Sequence, residues 1–353
     1  MAVDRVLLAA PRGFCAGVEM AIKALAWMVR TFAPPVYCYH EIVHNRLVVD
    51  RFERLGVVFV DDVAEVPAGR PLMLSAHGSA PEVVDEARQR GGYVVDAICP
   101  LVTKVHHEVR VRAGKGYRVV YVGHEGHDEA VGTMAVAPAS ISLVSEPADV
   151  DALDDFEGPV AVLAQTTLSL RDWSDVADAA KARFGDVWMP GRSDLCFATT
   201  NRQGALAEIA PHCDAVVVIG SANSSNTMAL AKVAAESGCE RVLRANAASE
   251  LPEDLYGTIG VTAGASAPEE LVDAVIARLA PAHGTTEISI TDEDEYFPPP
   301  RELRELLSAM EIAVHATLSV SPVARTAATD RTTAASDVLA SLAANDLVRL
   351  DQI

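Results

Sequence analysis

Six cysteines stand in the 353-residue sequence, at positions 15, 38, 99, 196, 213 and 239, and three of them share one local pattern. Cys15 in PRGFCAGVEMAIKAL, Cys99 in VVDAICPLVTKVHHEV and Cys196 in SDLCFATTNRQGALAEI each lie just beyond a strand pattern and just before a helical one. A sulfur placed there is close to a helix N-terminus, whose dipole favours a thiolate. Cys38, Cys213 and Cys239 fall within apolar or helical segments and read as small core hydrophobes. Structural zinc sites normally use closely spaced cysteine pairs, and the sequence has none. A cluster of iron and sulfide, several ångströms across, suits ligands separated by 84 (15 to 99) and 97 (99 to 196) residues. Holding a cluster with three cysteines leaves one iron open to bind a substrate oxygen as a Lewis acid.

Other reactive side chains gather in loops. His44 lies in EIVHNRLVV, His77 in SAHGSAP and His127 in VGHEGHDE, with Gln165, Thr166 and Thr167 after the run AVLA. The block GSANSSNT puts Ser221, Asn223, Ser224, Ser225 and Asn226 at a strand-to-helix turn, and Ser266 precedes a second helix. Small donors in such a turn, with its backbone N–H groups, suit a phosphate at a helix N-terminus, whereas N-capping alone explains one Ser or Asn. There is no Walker-type or dinucleotide-binding glycine motif, so the phosphate belongs to a small molecule. Glu129, two residues past His127, is a candidate proton donor if held in a closed site. Lys104, His106 and His107 read as a solvated helix face.

The elements positioning these residues are those of an α/β chain. Short β-branched runs, at Arg5–Ala9, Val36–Tyr39, Val57–Val60, Leu72–Ser75, Tyr93–Ala97, Arg118–Val122, Val160–Ala164, Ala215–Ile219 and Thr258–Thr262, alternate with helical patterns, which predicts mostly parallel sheets covered by helices. In such folds ligands bind beyond the carboxyl ends of the strands, where these loops lie. The spacing of the three cysteines suggests three segments of α/β size, and the chain divides into lobes at 14–99, 100–196 and 1–13 with 197–283, then an arm at 284–309. An Ala/Thr-rich tail from about residue 310 is expected to be a mobile or loosely helical appendage.

Composition narrows the function. A net charge of −20 argues against nucleic acid or an anionic membrane as partner, so an anionic ligand must be held locally. No apolar run is long enough to span a bilayer, no secretory h-region opens the chain, and the cysteines are too few for a disulfide scaffold, which predicts a cytoplasmic protein.

Taken in order, PRGFCAGV, EIVHNRLVV, SAHGSAP, DAICPLVTKVH, VGHEGHDE, AQTTLS, DLCFATTNRQ, GSANSSNT and TAGASAP resemble the 4-hydroxy-3-methylbut-2-enyl diphosphate reductases over about residues 4 to 303. The resemblance implies a trefoil of three α/β lobes around a central 4Fe-4S cluster on Cys15, Cys99 and Cys196. It implies that His44, His77, His127, Ser224, Ser225, Asn226 and Ser266 bind the diphosphate, while Thr166 and Glu129, with His127, handle the substrate hydroxyl and its protons. Two electrons from a ferredoxin or flavodoxin and two protons would then expel water from the allylic substrate, giving isopentenyl and dimethylallyl diphosphate.

Two features depart from the family pattern. Asp128 replaces the proline of its H-P-E motif, which predicts an added negative charge raising the pKa of Glu129. The tail has no counterpart in the resemblance. The rival readings are a non-redox iron–sulfur hydro-lyase, which would turn over without an electron donor, and a non-catalytic iron–sulfur sensor. A zinc hydrolase is more remote.

Overall fold

The strand β1 (Val3–Ala10) opens the chain but belongs to a sheet completed only near the other end of the sequence. The computed structural model describes residues 2–90, 92–191, 193–318 and 330–343. After β1 come α1 (Ala16–Thr31), β2 (Val36–Tyr39), α2 (Arg46–Arg54), β3 (Val57–Val60), β4 (Leu72–Leu74), α3 (Pro81–Gln89) and β5 (Val94–Asp96). These four later strands form one sheet in the order β3-β2-β4-β5. Next follow α4 (Pro100–Gly114), β6 (Arg118–Val122), α5 (Asp128–Met134), β7 (Ile141–Val144), α6 (Pro147–Ala152), β8 (Val160–Ala164), α7 (Leu170–Phe184) and β9 (Val187–Trp188), with strand order β7-β6-β8-β9.

The last sheet is built after α8 (Phe197–Ile209), from β10 (Ala215–Ile219), α9 (Ser225–Glu236), β11 (Val242–Ala245), β12 (Gly257–Ala263), α10 (Glu269–Leu279) and β13 (Thr285–Ser289). Its order is β11-β10-β12-β1-β13, with β1 between β12 and β13. All strand pairings among the described residues are parallel, as the alternation of strands and helices predicts. Three parallel sheets thus make three α/β lobes.

The chain forms two compact units. One comprises the residues up to Cys15 with Leu101–Asp294 and carries the β1 and β6 sheets; the other comprises Ala16–Pro100 with the chain from Glu295 on and carries the β2 sheet. In the first unit β10 is an unbroken apolar run because both faces are covered. Val217 and Ile219 pack with Val272 and Val275 of α10, while Val216 and Val218 pack with Leu206 and Ile209 of α8 and Leu230 of α9. That two-residue alternation fixes which strand ends face which helix start.

The second unit differs from expectation at its end. The chain from Arg301 forms α11 (Arg301–Leu318), and α12 (Ala335–Ala343) docks on α1. Ala335 and Leu339 are fully buried there, Ala335 N donates to Glu19 Oε2 (2.8 Å), and Arg30 Nη2 donates to Ser341 Oγ (2.8 Å). Burying Leu339 alone contributes about 2 kcal/mol. The tail expected to be mobile or loosely helical is therefore helical at 310–318 and 335–343, and the docking of α12 explains why α1 is apolar around most of its circumference. The rest of that tail, 319–329 and 344–353, lies outside the described residues. The segment expected as an arm from 284 supplies β13, so the third lobe extends past residue 283.

Candidate active site

In the first unit the loops beyond β1, β6, β8, β10 and β12 are bonded into one polar network. Glu129, in the first turn of α5, is buried, and its carboxyl accepts from Thr166 N (2.7 Å) and Thr166 Oγ1 (3.0 Å). His127 caps the same helix, its Nδ1 accepting from Glu129 N (3.1 Å), which places the proton of the neutral ring on Nε2. Burial is the main force on Glu129, and nearby Asp194 adds to it. Against the opposing pull of the two Thr166 bonds, they push its pKa up to about 7. The expected upward shift is present, with burial as its largest cause and Asp194 adding to it.

The loop after β8 links this acid to the turn before α9. Gln165 Nε2 donates to Thr167 Oγ1 (2.9 Å) and Ser225 Oγ (3.2 Å), and Thr167 Oγ1 donates to Ser225 Oγ (3.0 Å). Ser224 is the N-cap of α9, accepting from Thr227 N (3.3 Å), so it is the one residue of the serine run that ordinary capping explains. Asn226 Oδ1 accepts from Ala265 N (3.0 Å), beside buried Ser266, while its buried Nδ2 has no protein partner among the described residues. This close approach needs glycine at 264, where a Cβ would lie 2.5 Å from Thr227 Oγ1.

Two cysteine loops join the network through their backbones. Cys15 N donates to Ala265 O (3.3 Å) and Cys196 N to Thr166 O (3.1 Å). Cys196 is the N-cap of α8, its sulfur accepting from Thr199 N (3.1 Å) and lying 3.0 Å from Thr199 Oγ1. Burial, reinforced by the neighbouring Cys15 thiol, pushes the Cys196 thiol up to about 12. A thiol at a helix N-terminus whose ionisation is opposed by burial suits a cationic metal centre that takes the place of its proton.

In the second unit, the loops beyond β2, β4 and β5 gather the other candidates. The rings of His44 and His77 stack at 4.2 Å and 12°, and His77 Nδ1 lies 3.4 Å from Ser75 Oγ. Cys99 N donates to Ala76 O (3.0 Å), tying the cysteine loop to the His77 loop ahead of α4. Cys38 and Cys239 are buried in cores, as read from their segments.

Several participants are not evident from the sequence. His124 Nδ1 lies 3.2 Å from Ser225 Oγ, and its backbone N–H donates to Gln165 Oε1 (3.0 Å). Burial lowers the pKa of His124. Lys104 is exposed, as read, and its Nζ lies 3.6 Å from fully buried Asp194 Oδ1; Asp194 is pushed up to about 6 by burial against that attraction. His106 is likewise buried, and burial with Arg110 lowers its pKa to about 4. Only the spacing of the first histidine in GHEGH from the second hinted at His124.

A buried acid near neutrality, cysteine loops bonded to the same strand ends and an open-handed amide at a helix start define an α/β protein with a site at the carboxyl edge of parallel sheets. The chain belongs to the LytB protein family, whose family model matches residues 6–280. A 4-hydroxy-3-methylbut-2-enyl diphosphate reductase of Rhodopirellula baltica is 46% identical over 307 residues, covering 85% of this chain and 96% of the relative. One from Methylococcus capsulatus is 45% identical over 310 residues, covering 85% and 99%. The solved structure of the E-1-hydroxy-2-methyl-but-2-enyl-4-diphosphate reductase from Plasmodium falciparum matches with a TM-score of 0.84 at 30% identity, over 88% of this chain and 100% of that one.

Proposed function

We propose that this chain reduces (E)-4-hydroxy-3-methylbut-2-enyl diphosphate, with two electrons and two protons, to isopentenyl and dimethylallyl diphosphate and water. The observation that carries the reading is Glu129, a buried acid with a pKa of about 7 bonded to Thr166, whose carbonyl accepts the backbone N–H of Cys196. Relatives of that name, similar along nearly their whole length, support it.

A 4Fe-4S cluster would be held by Cys15, Cys99 and Cys196. It would supply electrons and an open iron as Lewis acid for the substrate hydroxyl. His44, His77, His127, Ser224, Ser225, Asn226 and Ser266 would bind the diphosphate. The unpartnered Nδ2 of Asn226 and the Nε2 proton of His127 are donors suited to phosphate oxygens. They let a chain of net charge −20 bind an anion without a field of lysines. Thr166 orients the carboxyl of Glu129, which at neutral pH can both hold and release a proton to the departing hydroxyl. Electrons would come from a ferredoxin or flavodoxin in the cytoplasm. No helix among the described residues is long and apolar enough to cross a membrane.

The test is anaerobic oxidation of a reduced viologen by the reconstituted protein, with and without the substrate. Substrate-dependent oxidation that collapses in Glu129→Gln is expected. Turnover without any electron donor would instead show a hydro-lyase, and a loaded cluster with no turnover a sensor.

A further inference from the structure

Arg202 heads the fully buried side chains by volume, and it lies in α8 six residues past Cys196. Removing a guanidinium from water costs several kcal/mol unless its donors are met. Here Nε and Nη2 donate to Gly13 O (3.0 and 2.9 Å), and Nη2 also donates to Phe14 O (3.2 Å). Nη1 donates to Ala198 O (2.9 Å) and to both oxygens of Glu293 (2.9 and 3.1 Å), which Asn201 Nδ2 also holds (3.0 Å). Gly13 and Phe14 are the two residues before Cys15, and Ala198 is the second residue after Cys196. One planar fork therefore ties together the two cysteine loops of this unit, and among the described residues only Glu293 answers its charge.

The geometry points to Arg202, with Glu293 as counter-ion, as a positioning residue that fixes the Cys15 and Cys196 loops for the cluster and sets the cluster's reduction potential through its buried charge. This rests on the proposed ligation by Cys15 and Cys196. The two contributions are separable. Lysine keeps the charge but is a single point on a flexible stem and cannot span three carbonyls and a carboxylate at once. Glu293→Gln leaves the bonds to Gly13, Phe14 and Ala198 and removes the counter-charge. A nearby cation favours the more negative, reduced cluster, so an uncompensated Arg202 makes reduction easier.

The experiment uses the anaerobically reconstituted full chain and reads iron retained under a chelator, the midpoint potential in a dye-mediated titration and the melting of the metal-free protein. R202K should lose iron at least tenfold faster than wild type with a near-unchanged potential. E293Q should retain iron at close to the wild-type rate with a potential shifted upward. R202K that holds iron as wild type does overturns the positioning role, and E293Q with an unchanged or lowered potential overturns the charge role. If R202K does not melt cooperatively, the E293Q potential decides alone. Wild-type protein that takes up no cluster, or Cys15→Ser and Cys196→Ser proteins that take it up fully, overturn the ligation itself and the inference with it. Wild-type uptake with unaffected variants overturns only the inference.

Discussion

Two enclosed carboxyls of the first unit, Glu129 and Glu293, have been given opposite partners. Glu129 receives a backbone N–H and a hydroxyl, both neutral, and its pKa rises to about 7. Glu293 receives a two-point guanidinium contact from Arg202 and a side-chain amide. Glu129 is 2% exposed and the Glu293 side chain 15%, and the two differ further in the charge of the partner. A buried carboxyl with only neutral donors exchanges a proton near neutrality, whereas one clasped by a guanidinium is a fixed counter-charge for the loops around it.

Removing the acid should give the largest effect. Glu129→Gln should lower substrate-dependent viologen oxidation by about 10²–10⁴-fold with KM nearly unchanged, as expected for a group that acts on a proton and not on the diphosphate. Undiminished turnover would dissolve the contrast. Next is a stability effect whose sign follows from the raised pKa. The folded chain holds the Glu129 proton up to about 7, the unfolded chain only to about 4.5. The contribution is complete below pH 4.5 and lost as pH rises through 7, amounting to about 3 kcal/mol. Urea unfolding should therefore show wild type losing stability over that window relative to Glu129→Gln, and parallel curves would mean the acid is not buried in solution.

Thr166→Val sharpens the comparison by deleting one neutral donor to the charged form. Turnover should fall about tenfold. The alkaline limb of the rate profile, expected in wild type as pH rises through about 7, should move to higher pH. The smallest effect belongs to Asp128→Asn. Since burial is the largest cause of the raised Glu129 pKa, the alkaline limb should move little, and a large downward shift would make Asp128 the main source instead.

Legibility in the sequence followed burial. The strands β8 and β10, covered on both faces, are unbroken apolar runs and were read at their true bounds. β13, whose TTEIS residues are mostly exposed, and the two-residue β9 carry no such signal and were missed, as were β7 and β11. The docking of α12 was hidden because its low-complexity composition looks like a linker, and only the apolar circumference of α1 betrays that something must cover it. At the site, the cysteines at helix starts and the clustered polar loops could be read from local spacing. Partners chosen across long separations could not. Lys104 is exposed as its helix face suggests, but its approach to Asp194 is hidden because the two are distant in sequence, and Arg202 is invisible because most of what it binds is backbone carbonyl.

The central place of β1 also governs how the chain can be made. The strand β1 ends at Ala10, yet its partners begin at Gly257 and Thr285 and leave the ribosome long after it. At about 5–20 residues per second, those partners emerge about 10–50 s later. Meanwhile the strands β2 to β5 can pair with one another, since their partners all lie between Val36 and Asp96. Synthesis thus leaves an apolar ribbon with two unpaired edges waiting for its partners, a species open to premature strand pairing between nascent chains.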